Sequence, residues 1–152
     1  MIISFAGHSF VSSHDKVKEL VKRIMRDIIT DDEAVSCYLG GYGDFDNICA
    51  SACRELKEKF PKIELVYVTP YLNSSAIEKI KVNEKFGLYD TSIYPPLEKV
   101  PPKFAISRRN EWMIKSADIA IFYVNHRYGG AYKSLLAAER NKKKIINVCD
   151  FL

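Results

Sequence analysis

The stretch SRRNEWMIKSADIAIFYVNHRYGGAYKSLLAAERNKKKIINV (107–148) decides the fold. Its first part, around Ser107 to Ser116, reads as a helix that turns Trp112 and Met113 toward a core. Asp118 to Val124 then forms a nearly unbroken apolar run, the pattern of a strand buried on both faces. Gly129 and Gly130 follow, a second helix runs from about Gly130 to Asn141, and Lys144 to Val148 forms a last strand. This order places a glycine-rich turn where a strand ends and a helix begins. In an open parallel sheet ligands dock there, because free backbone N–H groups and the positive end of the helix dipole face one cleft.

The chain upstream repeats the same unit. Residues 1–6 read as a short buried strand ending at Gly7, and from His14 onward Val17, Leu20, Val21, Ile24, Met25 and Ile28 follow a helical period. A second strand, Ala34 to Leu39, stops at Gly40 and Gly41. The next helix carries Phe45, Ile48, Cys49, Ala52, Cys53 and Leu56 on one face, and Ile63 to Val68 forms a third strand. Residues 69–105 break the rhythm. Ser75 with Glu78 has the spacing of a capping box, and YDTSIYPPLEKVPP (89–102) holds four of the six prolines, so the segment reads as a lid or a long surface loop. Five apolar strands separated by helices predict a Rossmann-like three-layer α/β domain over residues 1–152, with a mostly parallel five-stranded sheet.

Composition narrows the class. With 152 residues, 47% of them apolar and 28% charged, the chain suits about one globular domain with a full core. The net charge of +4 is spread along helices, and Lys142, Lys143 and Lys144 read as a helix C-terminus complementing its dipole, so a nucleic-acid partner is not expected. Cys37, Cys49, Cys53 and Cys149 lack metal-site spacing and read as small core residues in a reducing compartment, with no metal implied. No segment has the length of a membrane span or the pattern of a signal peptide, and the expected location is cytoplasmic.

Three strand ends carry glycine: Gly7; then Gly40, Gly41 and Gly43; then Gly129 and Gly130. Each turn alone is a common way to leave a strand, but their shared position predicts convergence on one cleft. The segment GGYGDFD (40–46) lacks the third glycine of a dinucleotide fingerprint, and no P-loop motif is present. Its amides from Gly41 to Asp44 would still cap a helix and favour an anion. Arg109, read at the start of its helix, must either snorkel outward or meet an anion, for which its planar fork suits phosphate. Asn110 beside it, and His8 after Gly7, are each open to a ligand-binding or a structural role; His14 and His126 are weaker candidates. Tyr132 and Lys133 open the last helix and would stack a base and neutralise phosphate, or else serve as a core tyrosine beside a solvated lysine. Glu139 lies too deep to act on a ligand at the glycines.

Taken together, ISFAGHSF, GGYGDF, the RN pair of RRNEWMIKSADIAI, and YGGAYKSLLAAERNKKKIINV resemble the SLOG superfamily, which includes the LONELY GUY and DprA/Smf proteins. The order RN, WM, buried strand, GG and aromatic is similar to the YpsA-like branch of small bacterial proteins. The resemblance implies a Rossmann-like domain binding a nucleotide, or a nucleotide-derived ligand such as an ADP-ribose-like molecule, at the strand C-termini, with no cofactor required. Arg109 matches the arginine that LONELY GUY proteins carry before the fourth strand. Their PGGxGTxxE motif is not kept: in register with Gly129 and Gly130, the catalytic glutamate position is Leu136. A binding module or sensor is therefore expected, with Tyr71 and Tyr94 on the lid covering the base. The alternatives are a nucleotide N-glycosidase, phosphoribohydrolase or deoxyribosyltransferase-like, with its carboxylate relocated to Asp44, Asp46 or Glu111, and an interaction module with a vestigial cleft. A homodimer through helices is compatible with the family pattern.

Overall fold

The computed structural model describes residues 1–152. The chain alternates β1 (Ile2–Gly7), α1 (His14–Ile28), β2 (Val35–Leu39), α2 (Asp44–Lys57), β3 (Ile63–Val68), α3 (Ser74–Lys85), β4 (Thr91–Ile93), α4 (Ala105–Ser116), β5 (Ile119–Tyr123), α5 (Gly130–Arg140) and β6 (Lys144–Asn147). A 3-10 turn over Pro102–Phe104 leads into α4, and another, Val148–Phe151, follows β6. The strands form one sheet in the order β4-β3-β2-β1-β5-β6, and every neighbouring pair is parallel.

Alternation along each strand divides the core between two faces. Ile3, Phe5, Cys37, Leu39, Ile63, Leu65, Ile119 and Ile121 belong to the larger cluster, which packs against α1 and α2. The intervening residues Ala120, Phe122 and Val124 pack against α4 and α5, and Tyr38, Val66 and Val68 meet Met113 and Trp112 of α4. The near-continuous apolar strands are thus covered on both sides. Cys37, Cys49 and Cys53 are buried in the larger cluster, and all four cysteines are free.

The expectation of five strands in a mostly parallel sheet is corrected to six, all parallel. The additional strand, β4, is only Thr91–Ile93, too short and polar to show a period in sequence. It is fixed from outside: the Asp90 carboxylate accepts from the Leu65 amide at 2.8 Å, and the Thr69 amide donates to the Ile93 carbonyl. The capping box read at Ser75 and Glu78 is also corrected. Asn73 caps α3, its Oδ1 accepting from the Ala76 amide at 3.0 Å, so Ser75 lies inside the helix. Because α4 begins at Ala105, Arg109 sits in its second turn instead of at its start.

Candidate functional site

Strand order reverses direction between β1 and β5. From β1 the chain winds outward through β2 and β3 to β4, then crosses back to place β5 on the opposite side of β1. Right-handed crossovers consequently put α1 and α2 on one face and α4 and α5 on the other, leaving a crevice above the strand C-termini. A cleft of about 450 Å³ occupies this place. Gly7, His8, Gly40, Arg109, Asn110, Gly129 and Gly130 line it, so seven of the residues expected at a site do converge.

Arg109 holds the centre. Its side chain is 5% exposed, and Nη1 donates to the carbonyls of Val68 at 2.8 Å and Gly40 at 3.4 Å, at the ends of β3 and β2. Nε donates to Asn110 Oδ1 at 2.8 Å. A Cβ on Gly40 would lie 3.1 Å from the guanidinium carbon, so glycine there eases a close approach. The remaining nitrogen, Nη2, has no acceptor in the chain. Burial pulls the Arg109 pKa down while Asp46 opposes the shift, and a guanidinium stays charged under all ordinary conditions.

Asp46 lines the same cleft, 9% exposed, and accepts from the Tyr42 amide at 3.2 Å. Burial raises its carboxyl to about 6, against the Tyr42 hydrogen bond and the Arg109 charge, which act in the other direction. The charge in the cleft therefore changes near neutral pH. Of the three carboxylates considered as relocated catalytic groups, Asp46 is the one in the cleft. Asp44 faces the loop before α1, accepting from the Val11 amide at 2.9 Å and paired with His14 Nε2 at 3.2 Å. The Val11 hydrogen bond and then His14 hold its carboxyl below the usual range. Glu111 lines a separate cavity.

Two helices open on the same glycine conformation. Gly43 precedes α2 with φ 88° and ψ 171°, and Gly129 precedes α5 with φ 90° and ψ 176°. Only the second leaves its helix start free. The Asp44 amide donates to Ser9 O at 2.8 Å, and a Cβ on Gly43 would meet Ser9 Cα at 2.8 Å, so another part of the chain covers α2. Gly41 packs on the Tyr67 ring and Gly7 on Phe45. Gly41, Gly43 and Asp44 thus serve chain packing, and none of them lines the cleft. At α5 nothing lies within 4 Å of a Cβ built on Gly129 or Gly130, and the amides of Gly130, Ala131 and Tyr132 donate to no acceptor in the chain.

Aromatic rings frame the mouth. His8 stacks on His126 with centroids 3.5 Å apart, and His126 stacks on Tyr128 at 3.8 Å. His8 Nε2 accepts from the Asn125 amide at 3.0 Å, which leaves its proton on Nδ1. Burial, then the neighbouring His126, lowers the His8 pKa and favours the neutral ring. Tyr42, 77% exposed, and Tyr128, 70% exposed, both line the cleft. Tyr71 and Tyr94, expected to overhang the cleft, do not line it; the Tyr71 hydroxyl instead donates to Pro102 O at 3.1 Å. Tyr132 packs on the α5 side of the core, Lys133 faces the second cavity, and Glu139 is exposed. Tyr42 and Tyr128 were readable as residues flanking glycine, but sequence alone does not tell which tyrosines overhang a cleft. No metal-binding group of three or more His, Cys, Asp and Glu side chains is assembled anywhere.

No protein-family model matches the chain, and no curated protein matches it. Its fold is shared with solved structures. TM1055, an X-ray structure from the Northeast Structural Genomics Consortium, aligns with TM-score 0.59 at 13% identity over 95% of this chain and 71% of that one. DNA processing protein A of Helicobacter pylori, described with a single-stranded DNA binding mode, aligns at 0.61 and 15% over 95% and 63%. DNA processing protein A of Streptococcus pneumoniae aligns at 0.63 and 12% over 94% and 48%. The chain spans less than two thirds of either DNA processing protein. These likenesses define its class as a Rossmann-like α/β fold. No helix is long and apolar enough to cross a membrane.

Proposed function

We propose that this chain is a nucleotide-binding module of the SLOG superfamily, with residues 1–152 acting as one domain. The YpsA-like assignment rests on the residue order of 107–148. A phosphate of a nucleotide or ADP-ribose-like ligand sits on the open start of α5, where free amides and the helix dipole attract it. Arg109 turns Nη2 toward it, Asn110 contributes its amide, and Tyr42 and Tyr128 stack the base. No metal or cofactor is required. Four free cysteines fit a reducing, cytoplasmic setting.

One observation carries this reading: a buried guanidinium with an uncommitted nitrogen lines the same cleft as the uncapped helix start. Thermal melting with nucleoside mono- and diphosphates and ADP-ribose tests it. Saturation at 100 times Kd stabilises by about 2.7 kcal/mol, which raises Tm by several degrees in a chain of this size. Absence of any shift, with all of these at millimolar concentration, would remove the proposal.

Asp46 favours a second reading, in which the module cleaves an N-glycosidic bond. A carboxyl lifted to about 6 beside a bound ribose is suited to protonating a leaving base or stabilising an oxocarbenium-like sugar. Release of free base from a nucleoside monophosphate, lost in Asp46→Asn, would distinguish catalysis from binding alone.

A further inference from the structure

The cleft does not end at Gly130. A second cavity of about 400 Å³ continues between α4 and α5, and Ile106, Asn110, Gly130 and Ser134 line both. Lys103, Lys133 and Arg140 face this groove against a single acid, Glu111. None of the four forms an ion pair within the chain. Lys133 and Arg140 are seven residues apart, two turns of α5, so both cations lie along one face. From Gly130 to Arg140 the helix runs about 15 Å, long enough for a nucleotide unit beyond the first phosphate.

The junction is prepared for a polar ligand. Ser134 is 5% exposed, yet its hydroxyl bonds to nothing in the chain, although a buried helical serine ordinarily bonds back to the preceding turn. The same structure shows that ordinary behaviour at Ser116, whose hydroxyl donates to Trp112 O at 2.8 Å. Asn110 gives its Oδ1 to Arg109, which leaves both amide protons available where the cavities meet. Both groups lie on the cavity wall with no partner in the chain, and so are open to a ligand's donors and acceptors.

We infer that the ligand carries two separated phosphates: one on the α5 start, the other in the basic α4–α5 groove, with Ser134 and Asn110 bonding the sugar between them. The chemical class is a dinucleotide with a free 5′-phosphate. This inference rests on the nucleotide-binding reading above and specifies its ligand.

Titration calorimetry of the whole chain at low salt, with AMP and with the 5′-phosphorylated diadenylate pApA as probes, tests it. The expected result is that pApA binds roughly tenfold more tightly than AMP, an advantage that shrinks as salt is added. The double variant Lys133→Glu, Arg140→Glu should bring the ratio of the two affinities close to one. Both residues are exposed, so the variant should fold, and Lys81→Glu, Lys85→Glu on α3 makes the same charge change away from the groove. Equal affinities in the wild type, an advantage surviving the groove variant, or an equal loss in the α3 variant would overturn the inference while leaving mononucleotide binding in place. A ten-nucleotide single strand binding far more tightly than pApA would also overturn it, because the inferred ligand carries only two phosphates. Failure of both AMP and pApA to bind would overturn this inference together with the reading beneath it.

Discussion

Replacing Arg109 tests geometry as much as charge. Lysine retains the cation, but one ammonium cannot bond the Val68 and Gly40 carbonyls and also present a planar donor to phosphate. Arg109→Lys should weaken nucleotide binding at least tenfold by calorimetry. It should also lower stability by about 1–3 kcal/mol in urea, the cost of leaving a buried carbonyl unpaired. Asp46 carries the pH dependence. Its carboxyl binds a proton up to about 6 when folded and only to about 3.8 when exposed, so between these values the native state holds more protons. Stability then falls as pH rises through that window, by on the order of 3 kcal/mol, and Asp46→Asn should flatten the curve measured by denaturation at pH 4 to 7. Sulfate, whose own charge is constant over this range, should bind the wild type more tightly at pH 5 than at pH 7.5.

At the level of elements, the start of α5 separates folding from binding. Gly129 has a backbone conformation accessible essentially to glycine alone, so Gly129→Ala should cost about 1–3 kcal/mol even though space for a methyl group exists. Gly130 has no such requirement and open space beside it, so Gly130→Ala should leave urea stability within about 1 kcal/mol of wild type while its methyl group weakens nucleotide binding in the cleft. Much of this arrangement was legible beforehand. The helical period from Val17 to Ile28 and the apolar run ending at Val124 each have one physical meaning at their length, and the glycine pair marks the turn between strand and helix. β4 was not legible, because three residues cannot display a period and its place depends on bonds from Asp90 and Thr69. Nor does spacing reveal what a glycine makes room for. Gly7, Gly41 and Gly43 admit Phe45, Tyr67 and Ser9, whereas Gly129 and Gly130 open on solvent, and only the packed chain separates these cases.

Across the whole molecule, the two-faced sheet carries the stability on which the cleft depends. Phe122 is fully buried at the centre of the α4 and α5 side, and Phe122→Ala should cost about 3–5 kcal/mol in urea denaturation, a large share of what holds a domain of this size together. The reversal of strand order places Arg109, Asp46 and the α5 start together although they lie far apart in sequence. Their meeting depends on which strands are neighbours, and β1 having β2 on one side and β5 on the other supplies it. The sheet is bordered by β4, of three residues, and β6, of four. Such short borders give another chain little to zip onto, which guards against runaway fibre-like stacking. A lasting pair of these molecules is therefore expected to meet through helix surfaces, and cysteines introduced on β4 and β6 should fail to trap it.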